Sequence, residues 1–361
     1  MTEGQRVPQW PRVALMILNF NGLTWLRICL PSVVKSTYQN LDLYVIDNGS
    51  TDASCEFVNS NYPHIKLIRF DQNLGFTEAY NRAIRKAEAE YILLLNNDTA
   101  VLDANWTDVL VDRAERDPSV AAVGCKLIMM NNHRKIDSIG GIGIRYWRGF
   151  VDIGKHEIDR GQYDHPEVTP FSVCGAAMLV RRTAFMEIGG FDPKFFMYDE
   201  DVDLCWRFRL LGYKIAYEPS VRVAHYLSGT SGQRLDAPKV YLSHRNLLRL
   251  ILKNCGPTLR WALATYLLFT FIVAVGFCIF EPMKAVAIVR AVLWNLFNLK
   301  DTYAMRASIQ GGRTKSEKEV LAAMYPNLPR YEPAEHTQLR HILNVLFEYS
   351  QSPSRLFDRR N

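Results

Sequence analysis

The fold is decided by residues 91–99, YILLLNNDT. The four apolar residues 92–95 are too few for a helical pattern and too apolar for a solvent face, so they predict a central parallel strand. The run stops at Asn96, Asn97 and Asp98. Because the carboxyl ends of strands form the ligand crevice of an open α/β sheet, this polar cluster is a candidate site. The alternative is an ordinary turn before the next helix, since Asn and Asp are common turn and cap residues.

Similar strand and helix patterns occur on either side of this stretch. Short apolar runs predict further strands at residues 13–20, 41–46, 65–70, 120–129, 171–180, 214–217 and 221–224. Helical patterns lie between them, with Thr51 or Asp52 as the expected cap of one helix, and residues 138–152 predict a hairpin or loop. This alternation predicts an α/β fold with a Rossmann-like, mostly parallel sheet flanked by helices. No GxGxxG or GxxxxGK[ST] motif follows these strands, so the dinucleotide and P-loop interpretations lose their main support.

The composition sets broad limits on class and partners. The 361 residues are enough for one large domain or two ordinary ones. The net charge of +6 suits phosphates or anionic lipid headgroups and does not require nucleic acid, so no nucleic-acid partner is predicted. Seven scattered cysteines without a CxxC pair indicate neither a disulfide framework nor a zinc site. The polar N-terminal segment lacks the apolar core of a secretory signal, so we expect a reducing, cytoplasmic setting.

The C-terminal part contains a long apolar segment. Residues 261–280 carry no charge over the length of a bilayer-spanning helix, and residues 285–299 form a second apolar stretch. A buried helical hairpin of a soluble domain is the alternative. A single full span would place the basic residues after Lys300 opposite the rest of the chain. We therefore favour a re-entrant or in-plane pair that keeps both parts on the cytoplasmic face.

Four carboxylates fall within five residues, at Asp199, Glu200, Asp201 and Asp203. In a helix, Asp199 and Asp203 share one face while the other two point elsewhere. Interaction with the helix dipole explains the position of such residues but not their crowding. Crowded carboxylates raise one another's pKa, and active sites use them as a base or as cation ligands. We therefore expect a functional site at this helix start.

The ordered series of motifs resembles a known enzyme family. The motifs are VALMILNFNG, VIDNGSTD, NLGFTEAYN, LLLNNDT, GAAMLVRRTAFMEIGGFDPKFFMYDEDVDLCWR and GYKIAYEPSVRVAH. They resemble the family 2 inverting glycosyltransferases of GT-A fold, and among these the rhamnosyltransferase-like enzymes of bacterial cell-envelope polysaccharide synthesis. The resemblance implies a glycosyltransferase domain at residues 12–255, with a nucleotide-sugar half at 12–130 and an acceptor half at 131–255. A membrane-associated, hydrophobic helical region would follow at 256–361.

The resemblance also implies roles for individual residues. Asp201 is the expected catalytic base, with Glu200 beside it. Asp98 and His225 are the expected ligands of a divalent cation, Mg²⁺ or Mn²⁺. Asn96 replaces the first carboxylate of the family's Asp-x-Asp motif, which weakens the donor set for a hard cation. The residues expected to bind the sugar donor are Asn19, Asp47, Asn73, Gly75, Asn81, Asn96 and Asp98, with Asp47 recognising the nucleotide base.

The implied reaction moves a sugar from a dTDP- or UDP-linked donor to a hydroxyl of a lipid-linked or cell-envelope glycan. A cation would stabilise the diphosphate, and a carboxylate would take the proton of the acceptor hydroxyl. The implied location is the cytoplasmic face of the bacterial inner membrane, and the sequence leaves homo-oligomerisation open. One alternative is a sugar nucleotidyltransferase, whose glycine- and arginine-rich first loop is replaced here by NFNGLTW. The others are a catalytically silent, membrane-anchored sugar-binding protein and a glycoside hydrolase, which the strand order fits poorly.

Overall fold

The computed structural model describes residues 10–143, 149–165, 168–226 and 236–324. Strands and helices alternate through the first half, and helices alone follow the last strand. The elements in chain order are β1 (Val13–Asn19), α1 (Leu23–Val33), β2 (Leu41–Asn48), α2 (Ser54–Asn61), β3 (Lys66–Phe70), α3 (Gly75–Lys86), β4 (Tyr91–Asn96), β5 (Thr99–Val101), α4 (Trp106–Glu115), β6 (Val120–Met129), β7 (Asn132–Ser138), β8 (Gly141–Gly143), β9 (Phe150–Asp152), β10 (Ala177–Arg181), α5 (Arg182–Glu187), a 3₁₀ turn (Pro193–Phe195), α6 (Glu200–Leu210), β11 (Lys214–His225), α7 (Ala237–Asn254), α8 (Leu259–Phe280), α9 (Pro282–Phe297), α10 (Leu299–Gly311) and α11 (Glu317–Met324).

The central sheet has the strand order β3-β2-β1-β4-β10-β6-β11-β5, and β7 pairs with β6. Strands β3, β2, β1 and β4 are parallel to one another, and β11 is parallel to β6. Strands β10 and β5 run antiparallel to their neighbours. Apolar side chains are buried on both faces, because helices cover each side of the sheet. The predicted α/β fold is confirmed, and the antiparallel strands make the sheet mixed.

Several element boundaries differ from the sequence prediction. Helix α2 begins at Ser54 after Ala53, so neither Thr51 nor Asp52 is its cap. Asp52 instead accepts hydrogen bonds from the backbone N–H groups of Ser54 at 3.1 Å and Leu23 at 3.0 Å. This carboxylate therefore joins the starts of α1 and α2 at the carboxyl end of the sheet.

The second half contains three further differences. Only the end of the strand predicted at residues 171–180 is extended, as β10, because a turn occupies the positions just before it. The strands predicted at 214–217 and 221–224 form one strand, β11, whose pairing with β6 is irregular in between. Strands β8 and β9 form the predicted hairpin at 138–152, and residues 144–148 lie outside the described part.

Helix α7 was not predicted from the sequence, although its start carries a recognisable signal. The side chain of Asp236 accepts a hydrogen bond from the Lys239 N–H at 3.1 Å, and Pro238 lies in the first turn. Helices α8, α9 and α10 all pack against α7, and α7 packs against α6. The predicted apolar segments correspond to α8 and α9, which form a helical hairpin, and residues 325–361 lie outside the described part.

Candidate active site

Three polar residues meet at the carboxyl ends of adjacent parallel strands. In the register of the sheet, Asn19 of β1 lies beside Asp47 of β2, and Asn96 of β4 lies beside Leu18. Asn19 is held in place because its side chain donates to Ser50 Oγ at 3.2 Å and accepts from Asn97 Nδ2 at 2.8 Å. The structure therefore brings Asn19, Asp47 and Asn96 together at one edge of the sheet, where α/β proteins bind ligands.

Asp47 is buried with both carboxylate oxygens unpaired. It is 1% exposed, and neither oxygen has a hydrogen-bond donor among the nitrogen and oxygen atoms of the described residues. Burial and the neighbouring Asp47 carboxylate raise the pKa of the Cys55 thiol to about 11. A buried carboxylate without donors is costly unless a ligand supplies them. This residue is therefore ready to accept hydrogen bonds from a bound molecule.

Asn73 and Gly75 shape the turn that starts α3. The side chain of Asn73 accepts hydrogen bonds from Asn48 Nδ2 at 3.0 Å and from the Gly75 N–H at 2.8 Å. Gly75 has φ of +76°, and a side chain there would collide with the ring of Phe196. These two residues therefore fix the junction between the strand ends and the segment that precedes α6. Their contact with the donor stays a prediction.

Asn81 has a structural role in this protein. Its side chain donates to the Phe191 carbonyl at 2.8 Å and accepts from the Phe191 N–H at 2.9 Å, and it is 3% exposed. This pair of bonds ties α3 to the GGFD segment 110 residues later in the chain. Because both polar groups of the amide are engaged, a role of Asn81 at the donor nucleotide stays a prediction.

Asp98 and His225 meet although they are far apart in the sequence. Strand β5 pairs with the end of β11, so that Thr99 lies opposite His225, and the Tyr226 N–H donates to the Asp98 carbonyl at 2.9 Å. As a result, Nε2 of His225 lies 3.4 Å from Oδ1 of Asp98. The ring of Tyr226, the residue after His225, contacts that of Trp25 in a tilted arrangement with 4.3 Å between the ring centroids.

Asp137 is a site residue that the sequence analysis missed. Its Oδ2 accepts a hydrogen bond from Nδ1 of His225 at 2.8 Å, and it is 2% exposed. Burial alone would lower the pKa of His225, but hydrogen bonds to Asp137 and Asp98 raise it to about 9. The Asp137 carboxylate fixes the orientation of the imidazole and aims Nε2 at Asp98. Only the pairing of β7 with β6 brings Asp137 to this position, so no local sequence signal reveals it.

The Asp98–His225 pair offers one carboxylate oxygen and one imidazole nitrogen for a cation. In the described residues, no group of three or more His, Cys, Asp or Glu side chains is arranged to hold a metal ion. A protein site with two ligands fits Mn²⁺ or Mg²⁺ only when diphosphate oxygens and water complete the shell. The residues present are therefore compatible with a cation that arrives with a nucleotide.

The carboxylate cluster at residues 199–203 separates into two groups. Asp199 lies before α6 with φ of +60°, so it does not share a helical face with Asp203, contrary to the sequence prediction. Asp203 is fully buried and forms ion pairs with Arg207 at 2.8 Å and Lys253 at 2.9 Å. Its charge is therefore used in holding α6 to α7. The other three carboxylates, those of Asp199, Glu200 and Asp201, are the candidates for a catalytic role.

Asp201 is directed at the turn before β10. Its Oδ2 accepts from the Gly175 N–H at 2.9 Å, and its Oδ1 accepts from the Val202 N–H at 2.8 Å. Burial raises the pKa of Asp201 and outweighs these two hydrogen bonds, which lower it. A carboxylate with a raised pKa is a stronger base than an ordinary one.

The two neighbours of Asp201 have raised pKa values for related reasons. Burial, together with the charge of Asp201, raises the pKa of Glu200 well above its ordinary value. Oε2 of Glu200 is buried without a donor in the described ranges. Burial and the charges of Asp201 and Asp203 raise the pKa of Asp199 to about 7. The start of α6 thus collects three acidic groups whose pKa values are all raised above the ordinary range.

Gly175 and Ala176, which are consecutive in the chain, connect the strand end at Asn96 with the carboxylate of Asp201. The Asn96 N–H donates to the Ala176 carbonyl at 2.9 Å, and the Gly175 N–H donates to Asp201. The ring of Phe76, at the start of α3, borders the same position, since a Cβ on Gly175 would lie 3.3 Å from it. The structure therefore places the carboxylate of Asp201 next to the strand end that carries Asn96 and Asp98.

The sequence also matches a family model over this region. Residues 11–246 match the family described as glycosyltransferase like family 2. The chain belongs to this family. The transferase class and the GT-A-like fold expected from the sequence motifs are thereby confirmed.

Two curated relatives of this glycosyltransferase come from bacteria. The O-antigen biosynthesis protein RfbC of Myxococcus xanthus is 28% identical over 237 residues, which are 63% of this chain and 18% of that protein. The N-acetylglucosaminyl-diphospho-decaprenol L-rhamnosyltransferase of Mycobacterium tuberculosis is 28% identical over 233 residues, which are 56% of this chain and 72% of that protein. The chain thus spans only a small part of the Myxococcus protein and most of the Mycobacterium protein.

Two solved structures share the fold. The mannosyltransferase PcManGT from Pyrobaculum calidifontis, in complex with GDP-Man and Mn²⁺, has a TM-score of 0.51 and 17% identity, covering 84% of this chain and 86% of that one. TarS of Staphylococcus aureus, in complex with UDP, has a TM-score of 0.51 and 14% identity, covering 87% of this chain and 90% of that one. At these identities, the likeness establishes the fold alone.

Proposed function

We propose that this glycosyltransferase moves a sugar from a nucleoside diphosphate to an acceptor hydroxyl by an inverting displacement, with Asp201 as the general base. One observation carries the proposal. Asp201 is hydrogen-bonded to Gly175, and the next residue, Ala176, is hydrogen-bonded to Asn96, so a basic carboxylate borders the strand ends. The names of the two relatives, one an O-antigen protein and one a rhamnosyltransferase of a diphospho-decaprenol lipid, favour a lipid-linked or cell-envelope glycan as acceptor.

The donor half of the site suits a uridine or thymidine diphosphate sugar. Uracil and thymine each present one ring N–H between two carbonyl groups. The two unpaired oxygens of Asp47 are acceptors for that N–H, and the amide of Asn19 lies beside them in the register of the sheet. A base that pairs with Asp47 would remove the cost of its buried, unpaired charge.

The diphosphate end of the donor would lie at Asp98 and His225. These two residues would hold a divalent cation, with Asp137 fixing the imidazole from behind. When bound, such a cation neutralises the negative charge that develops on the departing diphosphate. Asn96 is a neutral neighbour of this pair and would contact the donor by hydrogen bonds.

The reaction step then follows from the position of Asp201. The acceptor oxygen forms a bond to the anomeric carbon of the sugar while its proton passes to the Asp201 carboxylate. The bond between the anomeric carbon and the diphosphate oxygen breaks, and the nucleoside diphosphate leaves from the opposite face of the sugar. Glu200 and Asp199, with raised pKa values, are the neighbouring groups that can take the proton onward.

The proposal is tested with a panel of UDP- and dTDP-sugars and a short-chain polyprenyl-diphosphate N-acetylglucosamine as acceptor. The full-length protein should release nucleoside diphosphate only when acceptor is present, and NMR of the product should show an inverted anomeric configuration. A retained configuration would contradict the base mechanism. Formation of a nucleotide sugar from a nucleoside triphosphate, with release of inorganic diphosphate, would instead indicate a nucleotidyltransferase.

We further propose that the α8–α9 hairpin rests in the membrane surface. Helix α8, with 22 residues, is long and apolar enough to cross a bilayer. One stripe of α8, Ala262, Tyr266, Thr270, Val273 and Phe277, is buried against the rest of the protein. Large apolar side chains on the other face are exposed, including Trp261 at 76%, Ile279 at 72% and, on α9, Phe297 at 86%. An apolar surface of this extent is typical of membrane or protein contact.

The helices that follow the hairpin favour an in-plane arrangement. Helix α10 packs against α7, and α11 packs against α6. The N–H groups of Thr314 and Lys315 donate to the Leu210 carbonyl of α6 at 2.9 and 3.1 Å. The chain up to Met324 therefore returns to the side of the transferase domain, which a single full span would prevent.

Outward-facing substitutions test this location without exposing the core. Leu268→Ser and Phe271→Ser together should move the protein from the membrane to the soluble fraction in vesicle flotation, because both side chains face away from the protein. The matched control is Ile158→Ser, since Ile158 is an exposed apolar residue of the sheet domain. Unchanged flotation of the double variant would contradict a membrane role for this surface.

A further inference from the structure

The segment before α6 has an unusual backbone. Phe196, Tyr198 and Asp199 have φ values of 65°, 72° and 60°, a left-handed region that non-glycine residues rarely occupy. The Met197 N–H donates to the Phe195 carbonyl at 2.8 Å, which closes a tight turn. Residues in this region are strained, and they persist only where the surroundings hold them in place. Other parts of the protein must therefore impose this conformation.

Asn246 of α7 forms the hydrogen bonds that stabilise the backbone of this segment. It is fully buried, and its Nδ2 lies 3.0, 2.7 and 2.8 Å from the carbonyl oxygens of Phe195, Met197 and Tyr198. Its two N–H groups are thus shared among three backbone acceptors. Few other side-chain groups could satisfy three carbonyl groups that a left-handed backbone has turned to one side.

Arg245 fixes the direction of the Asn246 amide. Its Nε donates to Oδ1 of Asn246 at 2.9 Å, so the amide nitrogen must face the segment. Its Nη2 also donates to the Phe195 carbonyl at 2.6 Å. The Arg245 carbonyl accepts in turn from Asn295 of α9 at 2.9 Å. The side chain of Asn246 is therefore fixed by Arg245 of the same helix, and Arg245 is in turn bonded to α9 of the apolar hairpin.

The other side of the segment contacts the donor half of the site. The Phe196 carbonyl accepts hydrogen bonds from the N–H groups of Phe76 and Thr77 at the start of α3. Asp199, the last residue of the segment, precedes α6, and its carbonyl accepts the Asp203 N–H at 2.9 Å. The backbone at Asp199 thus sets where the first turn of α6 begins, and Asp201 lies in that turn.

We propose that Asn246 is a positioning residue for Asp201. By fixing the three carbonyl groups, Asn246 holds the start of α6 so that the Asp201 carboxylate reaches the Gly175 N–H and the acceptor hydroxyl. The inference rests on the proposed function in one respect, that Asp201 is the base. It adds that catalysis by Asp201 requires the buried amide of Asn246 on α7. In this proposal Asn246 itself touches neither donor nor acceptor.

The test compares Asn246→Leu with Asn254→Leu in the full-length protein. Asn254 is the matched control, because it is a buried amide on the same helix that donates to a side chain, Asp203, at 2.8 Å. Asn246→Leu should lower kcat by about 100-fold, the effect of a displacement near 1 Å, and leave the Kd for nucleoside diphosphate within about threefold. Asn254→Leu should lower thermal stability and leave kcat within about threefold.

A second measurement does not depend on activity. Hydrogen exchange of the amides of residues 196–202 should become faster in Asn246→Leu than in Asn254→Leu. Asn246→Gln, which keeps the amide, should recover part of kcat. If Asn246→Leu does not fold, Asn246→Ala leaves room for water and takes its place in both measurements.

Equal losses of kcat in the two leucine variants, or unchanged exchange at 196–202, would overturn the positioning role. Weakened nucleotide binding in proportion to kcat would also overturn it, since a general loss of structure would affect both. If the wild-type protein transfers no sugar, the proposed function fails, whereas the exchange comparison still decides whether Asn246 holds the segment.

Discussion

At the scale of single residues, Asp47 shows how an unpaired buried group points to a ligand. In the structure both of its oxygens are buried, and the described residues offer no nitrogen or oxygen donor. Asp47→Asn should weaken UDP or dTDP binding by about 10- to 100-fold, the value of a hydrogen bond to a charged acceptor. The free protein should be at least as heat-stable as the wild type, because a buried charge has been removed.

Calorimetric titration with both nucleotides and thermal unfolding of the free protein check this prediction. Asp71→Asn, on the exposed segment after β3, is the control and should change neither property. Unaltered nucleotide affinity in Asp47→Asn would show that Asp47 does not bind the donor nucleotide.

Asp137 leads to a second prediction at this scale. Asp137→Asn removes the carboxylate behind His225, so the half-saturating Mn²⁺ concentration for transfer should rise by about 10- to 100-fold. Asp164→Asn is the control, because Asp164 pairs with Lys126 in the same half of the protein. The measurement is transfer rate against Mn²⁺ concentration. The same half-saturation in Asp137→Asn and wild type would show that His225 needs no support for this role.

At the residue level, the sequence predicts which residues lie close together where the chain order itself carries the signal. Asn19, Asp47 and Asn96 end adjacent strands, so parallel register alone places them together. Asp137 and Asn246 could not be found this way, because a hairpin strand and a distant helix bring them to the site. Asn81 matches a family motif, yet its amide binds the Phe191 backbone, a contact that no local pattern indicates.

At the scale of helices and strands, a buried ion network joins α7 to the GGFD segment. Asp192 is buried and bonds to Arg249 at 2.7 Å and Lys253 at 2.6 Å, and Lys253 also pairs with Asp203. Burial alone would raise the pKa of Asp192, but the two cations hold it well below its usual range. Its stabilising contribution is therefore present above pH about 4 and is lost as the pH falls.

Asp192→Asn should destabilise the protein by about 3–5 kcal/mol at pH 7, because two buried cations lose their partner. The difference from wild type should shrink as the pH falls below about 4. Denaturant unfolding at several pH values measures both effects. Asp42→Asn, which breaks a surface pair with Arg12 and Lys66, should have a much smaller effect. A constant difference at all pH values would contradict this role of Asp192.

Element-level prediction from the sequence succeeded for buried strands and failed at polar boundaries. Strand β4 ends at Asn96, where its apolar run stops, because burial on both faces gives a continuous signal. Helix α2 begins later than its polar residues indicated, because Asp52 is bonded to the start of α1. Helix α7 was missed although Asp236 and Pro238 mark its start, since its buried face carries Arg249 and Lys253 as well as apolar residues.

At the scale of the whole molecule, the α8–α9 hairpin and the transferase domain form one packed unit. Val202 and Trp206 of α6 belong to the same buried cluster as Ala262 and Tyr266 of α8. Removing the chain from α8 onward would therefore expose the buried side chains of α6 that belong to this cluster. The sequence predicted the apolar segments but not this shared core, because the contacts join residues about sixty positions apart.

The central claim is that Asp201 is the base of a sugar transfer. The most direct measurement compares Asp201→Asn with the wild type in transfer rate and in binding of the donor nucleotide. We predict a loss of transfer of about 10²–10⁴-fold, the contribution of a general base, with a Kd for the nucleotide close to that of the wild type. Transfer at the wild-type rate by Asp201→Asn would contradict the claim and remove Asp201 as the base.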